Sequence, residues 1–145
     1  MITPAPTTPI DPATARGTLA EIVQATATRP GYIVFAVPNT SYAMHLRCEA
    51  TPGPERVGKR LLGTIRAQAR RLDVVATGGR YVEPVMGRPR RVQGTVVRTE
   101  SGKLVVDAGM PIHLDLTDER QKSEDFTAGQ MVTCDVLDGA TFTPQ

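Results

Sequence analysis

The sequence predicts a mainly β protein, a small barrel with one N-terminal α-helix and an additional β-hairpin. Three observations carry that expectation. Gly and Pro supply 25 of the 145 residues, a share that favours turns and short strands over a helical bundle. Apolar residues recur in short alternating runs separated by turn dipeptides. Finally, residues 59–78 align without gaps onto residues 90–109, with Arg60/Arg91, Gly63/Gly94, Thr64/Thr95, Val74/Val105, Val75/Val106 and Gly78/Gly109 identical. Gly63 and Gly94 fall inside strand patterns, where glycine marks a bulge or a bend of the kind a small barrel needs to close.

The elements follow in order. The first ten residues hold three Pro, three Thr and no charged side chain, and residues 1–11 are expected to be a flexible tail. Asp11-Pro12 reads as an N-cap followed by Pro at the first helical position. Ala15, Leu19, Ile22, Val23 and Ala27 then fall close to helical spacing, and Arg29-Pro30-Gly31 stops the pattern, which predicts a helix over 12–28. Tyr32 to Val37 and Tyr42 to Cys48 read as a hairpin about Pro38-Asn39-Thr40-Ser41, with Tyr42, Met44, Leu46 and Cys48 on one face. Residues 12–55 are thus expected to be a helix plus a hairpin, the hairpin packed on a barrel or extending its sheet. Ala50-Thr51-Pro52-Gly53-Pro54 is the boundary.

Residues 56–145 make the barrel, with two similar hairpins at 59–78 and 90–109. A short strand spans Arg80 to Val85, and another carries Ile112, Leu114 and Leu116 on one side. Thr117 to Ala128 is a polar loop or a short surface helix. A last alternating run, Gln130 to Leu137, leads to a tight hairpin turn at Asp138-Gly139 before Ala140-Thr141-Phe142.

Charge is distributed in blocks. The formal net charge of +2 combines −1 over residues 1–55, +9 over 56–103 and −6 over 104–145. No apolar run approaches the roughly 18–20 residues of a membrane span, and MITPAPTTPIDP lacks the basic and apolar regions of a signal peptide. Two distant Cys (Cys48, Cys134) and two distant His (His45, His113) build neither a disulfide framework nor a zinc site. A cytoplasmic protein without metal or cofactor is therefore expected. No Gly-x-Ser-x-Gly elbow, phosphate loop ending in Lys-Ser/Thr or His-Glu-x-x-His is present, so no enzymatic activity is expected. Cys134 reads as a buried, inert thiol.

In the second half, the pieces Gly94-Thr95-Val96, Gly102-Lys103-Leu104-Val105-Val106-Asp107, Ile112-His113-Leu114, Gly129-Gln130-Met131-Val132 and Asp135-Val136-Leu137 follow one another in a characteristic order. Over residues 91–138 this order resembles the OB-fold RNA-binding repeat of the ribosomal-protein type. The resemblance implies an OB-like barrel and RNA as partner. It departs from the family at the stacking platform: Leu104 and Val105 stand where members that bind RNA carry aromatics, leaving His113 as the nearby flat ring. Arg56-Val57-Gly58-Lys59-Arg60 and Arg66-Ala67-Gln68-Ala69-Arg70 also match the first half of the PilZ cyclic-dinucleotide signature, whose second half is missing downstream.

The basic block is the strongest functional signal. Its cations are nearly all arginine, which binds phosphate bidentately and stacks on bases. Arg60, Arg66, Arg70, Arg71, Arg80, Arg88, Arg90, Arg91, Lys103 and His113 are therefore the candidate nucleic-acid-binding residues, with the basic starts of the two repeats expected on one edge as a stripe. The expected function is a non-enzymatic module that binds RNA or single-stranded DNA. The alternative is a structural or protein-interaction module, a homo-oligomer held by its oppositely charged segments.

Overall fold

The segment expected to be a helix is a strand. The computed structural model describes residues 11–145, so the expected tail, apart from Asp11, lies outside the described residues. From Ala13 to Leu19 the odd-numbered residues are buried and Arg16 points to solvent. This is the period of two that marks a half-buried strand. Ala15, Leu19, Ile22 and Val23 satisfy helical spacing as well, and tertiary pairing decides between the two readings. Asp11 does cap, but it caps a turn: its Oδ1 accepts from Ala13 N at 2.8 Å and its carbonyl from Thr14 N at 2.8 Å. Neighbouring strands then take up the backbone that a helix would have satisfied internally.

The protein is mainly β, and the described residues contain no α-helix. Twelve strands follow in order: β1 (Ala15–Val23), β2 (Tyr32–Ala36), β3 (Ala43–Leu46), β4 (Arg60–Ala69), β5 (Asp73–Val75), β6 (Tyr81–Glu83), β7 (Met86–Gly87), β8 (Arg91–Glu100), β9 (Lys103–Asp107), β10 (Pro111–Leu116), β11 (Met131–Asp135) and β12 (Thr141–Pro144). Short 3-10 turns occupy Pro54–Arg56 and Ser123–Asp125. The polar segment 117–128 is accordingly a loop containing one such turn. No helix among the described residues is long and apolar enough to cross a membrane.

All twelve strands join one mixed sheet of order β5-β11-β8-β9-β10-β4-β1-β2-β3-β7, with β12 on β4 and β6 on β8. Strand β4 is its hub. Gly63 pairs with both Ala15 and Pro144, and Arg66 with both His113 and Thr141. β12 therefore lies along one edge of β4, and β1 and β10 lie end to end along the other. The stretch after β11 also returns to β4. Ala69 bridges Val136, Arg70 N donates to Asp135 O and Leu137 N to Gln68 O, both at 2.9 Å.

The expected β2–β3 hairpin forms, with Phe35 opposite Met44 and Ile33 opposite Leu46. Met44 and Leu46 are fully buried, and Tyr42 and Cys48 pack against the same core from partly buried positions. Phe35 meets Phe142 of β12 at a ring-centroid distance of 5.0 Å, so the hairpin and the C-terminal strand share one core.

The repeat folds unequally. β8 and β9 form a hairpin across Ser101-Gly102, where Gly102 takes φ 76°. The aligned positions in the first copy are Arg70 and Arg71, and β4 and β5 do not pair; β5 pairs with β11 instead. The Arg71 side chain would strain the left-handed turn that Gly102 makes freely, and Arg71 does not adopt it. Leu72 is also buried, its backbone clamped by Gln121, which accepts from Leu72 N at 2.9 Å and donates to Leu72 O at 2.7 Å. The expectation of two equivalent hairpins is thus corrected to one hairpin and one splayed pair.

The expected hairpin at Asp138-Gly139 is corrected too. β11 and β12 pair with different strands, because the loop between them is taken up by Arg47. The Arg47 backbone donates to Ala140 O at 2.9 Å and accepts from Phe142 N at 2.8 Å. Nor do Gly63 and Gly94 mark bulges; the irregularities of β1 and β8 fall at Leu19/Glu21 and Val96/Arg98. The two glycines serve close approach instead. A Cβ on Gly63 would stand 2.5 Å from the Phe142 ring and overlap the Thr143 carbonyl, and one on Gly94 would overlap the Asp107 carbonyl.

Candidate nucleic-acid interface

Alternation along β4 puts Arg60 and Arg66 on its outward face, and Arg70 follows directly after the strand; all three are exposed. Past its end, three backbone segments converge on Val136. Arg70 N donates to Asp135 O, and Val136 N donates to Arg90 O, each at 2.9 Å, so Arg70 and Arg90 flank buried Val136 from opposite sides. Pro89 is buried between exposed Arg88 and Arg90, which anchors that corner and turns both guanidinium groups outward. Arg91 opens β8 and donates to Asp135 Oδ1 at 2.9 Å. Hydrogen bonds to Tyr81 and then Asp135 raise its pKa above the ordinary arginine value.

These residues line adjoining depressions. Arg70, Arg90, Arg91, Glu83 and Asp135 face a cleft of about 580 Å³. A second of about 370 Å³ shares Arg70, Arg90 and Val136 with it and adds Arg88 and Asp138. A third of about 510 Å³ shares Arg88 and Asp138 and extends to Arg47, Arg29, Tyr32 and His45. The result is one groove lined by six arginines against three carboxylates. Asp138 serves two of them, accepting from Arg88 at 2.9 Å and lying 3.6 Å from Arg47. Among the described residues, Arg70 and Arg90 enter no ion pair.

The chain matches no family model, no curated protein and no solved structure.

Four of the ten candidate residues, Arg70, Arg88, Arg90 and Arg91, therefore come together. The others do not. Arg60 lines a separate depression with Arg16 and Asp11, and its carbonyl accepts from the Arg56 guanidinium at 2.8 Å. Arg66 faces Asp115 at 3.9 Å, Arg71 faces Asp73 at 3.4 Å and Arg80 faces Asp107 at 3.0 Å. Lys103 is half-buried against Glu100 at 3.1 Å. The basic starts of the two repeats, Arg60 and Arg91, thus lie in different depressions. The end of the first copy's long strand, Arg70, meets the start of the second's.

His113 is not available as a stacking ring. It is 6% exposed, and its Nε2–H donates to Ala13 O at 3.0 Å, tying β10 to the chain entering β1. The groove has a different flat surface, Tyr32 on β2 and His45 on β3. Their rings stack with centroids 4.5 Å apart and planes at 17°. Both are only partly buried. Sequence reasoning located this hairpin without its register. With Val34 opposite His45, Tyr32 becomes the diagonal neighbour within aromatic reach.

Four arginines of the basic block, Arg66, Arg80, Arg88 and Arg91, are paired with Asp115, Asp107, Asp138 and Asp135 of the acidic one. These pairs are exposed, and such pairs contribute little to stability. They orient the guanidinium groups at little energetic cost to an exchange of carboxylate for phosphate.

Proposed function

We propose that this chain binds single-stranded nucleic acid, RNA or DNA, as a non-enzymatic module. The observation that carries the reading is the row of adjoining depressions, each sharing lining residues with the next, from Arg91 through Arg70, Arg90 and Arg88 to Arg47, in which Arg70 and Arg90 enter no ion pair among the described residues. Guanidinium groups in a row suit the evenly spaced phosphates of a strand, and a groove with a flat ring at one end suits unpaired bases. An OB-like barrel over residues 56–145 remains the proposed description of the scaffold. Its support is the hydrogen bonding of residues 68–70 to 135–137, which brings β4 back to the end of β11. Self-association through opposite charges has less support, because four acidic-block carboxylates face arginines of their own chain.

The test is fluorescence anisotropy of a short labelled single-stranded RNA titrated at several salt concentrations. The double variant Arg70→Ala/Arg90→Ala should bind about tenfold or more weakly. Its log–log salt slope should fall by about 1.4, at about 0.7 for each phosphate that is no longer neutralised. Arg120→Ala, outside the groove, should change neither. Absence of binding by the intact protein at low salt, up to the order of 100 μM where non-specific affinities lie, overturns the proposal.

A further inference from the structure

We propose that the stacked Tyr32–His45 pair is a base-stacking step at one end of the groove, which receives an unpaired nucleobase while Arg47 and Arg29 hold its flanking phosphates. The inference rests on the nucleic-acid reading and deepens it: it names the part of the strand recognised and excludes a duplex from that position.

The geometry supplies each requirement. β2 and β3 alternate, with Ile33, Phe35, Met44 and Leu46 facing the core. Tyr32, Val34, Ala36, Ala43 and His45 lie on the opposite face. The two rings are nearly parallel and stacked on each other, and both residues line the cleft from partly buried positions. At about 510 Å³ that cleft falls within the range of roughly 300–1,000 Å³ usual for small-molecule sites. It therefore has room for a nucleobase with its sugar and phosphate.

The cations at the cleft are positioned from the backbone outward. Arg47 is fixed by its two hydrogen bonds to the 140–142 segment. Its guanidinium passes over Gly139, where an added Cβ would stand 3.1 Å from Nη1. Its one carboxylate neighbour, Asp138 at 3.6 Å, is already engaged by Arg88 at 2.9 Å. Two guanidinium groups on one carboxylate leave an uncompensated positive charge beside the rings, and Arg29 adds another. A cross-strand aromatic pair that only stabilised the sheet would need neither the cleft nor these charges.

Stacking and phosphate contact respond differently to salt, so the two are separable. The experiment uses the full chain with a single-stranded oligonucleotide carrying 2-aminopurine, alongside a duplex of equal length. Tyr32→Leu should bind the single strand about tenfold more weakly with an unchanged salt slope. It should also lose the 2-aminopurine quenching and leave duplex affinity as it was. Tyr32→Phe, which keeps the ring, should retain affinity and quenching. His45→Ala provides a second disruption, and circular dichroism with a thermal midpoint checks that each variant is folded. Equal affinity and quenching in folded Tyr32→Leu and the unaltered protein overturns the stacking step, while a weakened Arg70→Ala/Arg90→Ala would leave the groove standing. No binding by the unaltered protein overturns both.

Discussion

Cys134 lies at the end of β11 with 3% of its surface exposed. Burial first, and the neighbouring Asp135 charge second, push its thiol up to about 12. The thiolate is the reactive species. Iodoacetamide at pH 8 should therefore label Cys48 in the folded protein and reach Cys134 only in denaturant, as intact-mass spectrometry would show. Prompt labelling of both thiols under native conditions would contradict this. The folded pKa lies above the ordinary 9.0, so the neutral thiol's contribution to stability is whole below pH 9.0 and is lost as pH rises toward 12. The burial of Cys134 was legible in the sequence. The burial of His113 was not, because alternation of Ile112, Leu114 and Leu116 points it outward. β10 lies between β9 and β4 with both faces covered, so Ile112, His113 and Leu114 are all buried. Alternation identifies a buried face only where the other face meets water.

At the scale of the element, the neighbouring antiparallel strands β1 and β4 lie beneath two phenylalanine rings. Gly17 underlies Phe35 and Gly63 underlies Phe142, with 2.5 Å between each ring and the position a Cβ would occupy. Gly63→Ala and Gly17→Ala should each destabilise the fold by about 1–3 kcal/mol, the usual cost of overpacking. Urea unfolding followed by circular dichroism measures it, and an unchanged midpoint would count against this packing. Most strand segments were legible from alternation and turn residues, including the β2–β3 and β8–β9 hairpins. Strand partners were not, since pairing depends on residues far away in sequence. Gly102 against Arg71 decides whether a similar stretch folds back on itself. Ala15, Leu19, Ile22 and Val23 suit helix and strand equally until β2 and β4 flank them.

For the whole molecule, the first 55 residues and the remainder share one sheet and one core. β1 covers Arg60–Gly63 of β4, Phe35 packs on Phe142, and Arg47 binds the 140–142 loop. A fragment of residues 56–145 is expected to lack cooperative thermal unfolding and to show poor dispersion in a ¹⁵N-HSQC spectrum. A well-dispersed spectrum would overturn that. Half of the groove was visible in the sequence as the Arg88-Pro89-Arg90-Arg91 corner. The other half was hidden because Arg29, Tyr32, His45 and Arg47 belong to a segment of net charge −1, where no cluster stands out. Their contribution arises only when the β2–β3 hairpin is laid against the loop at Asp138. The groove thus straddles the seam between the two ends of the chain. A strand bound along it would act as a suture across that seam, so that occupancy and cohesion would become one equilibrium. Each tenfold excess of free ligand over its dissociation constant adds about 1.4 kcal/mol to the closure of the whole.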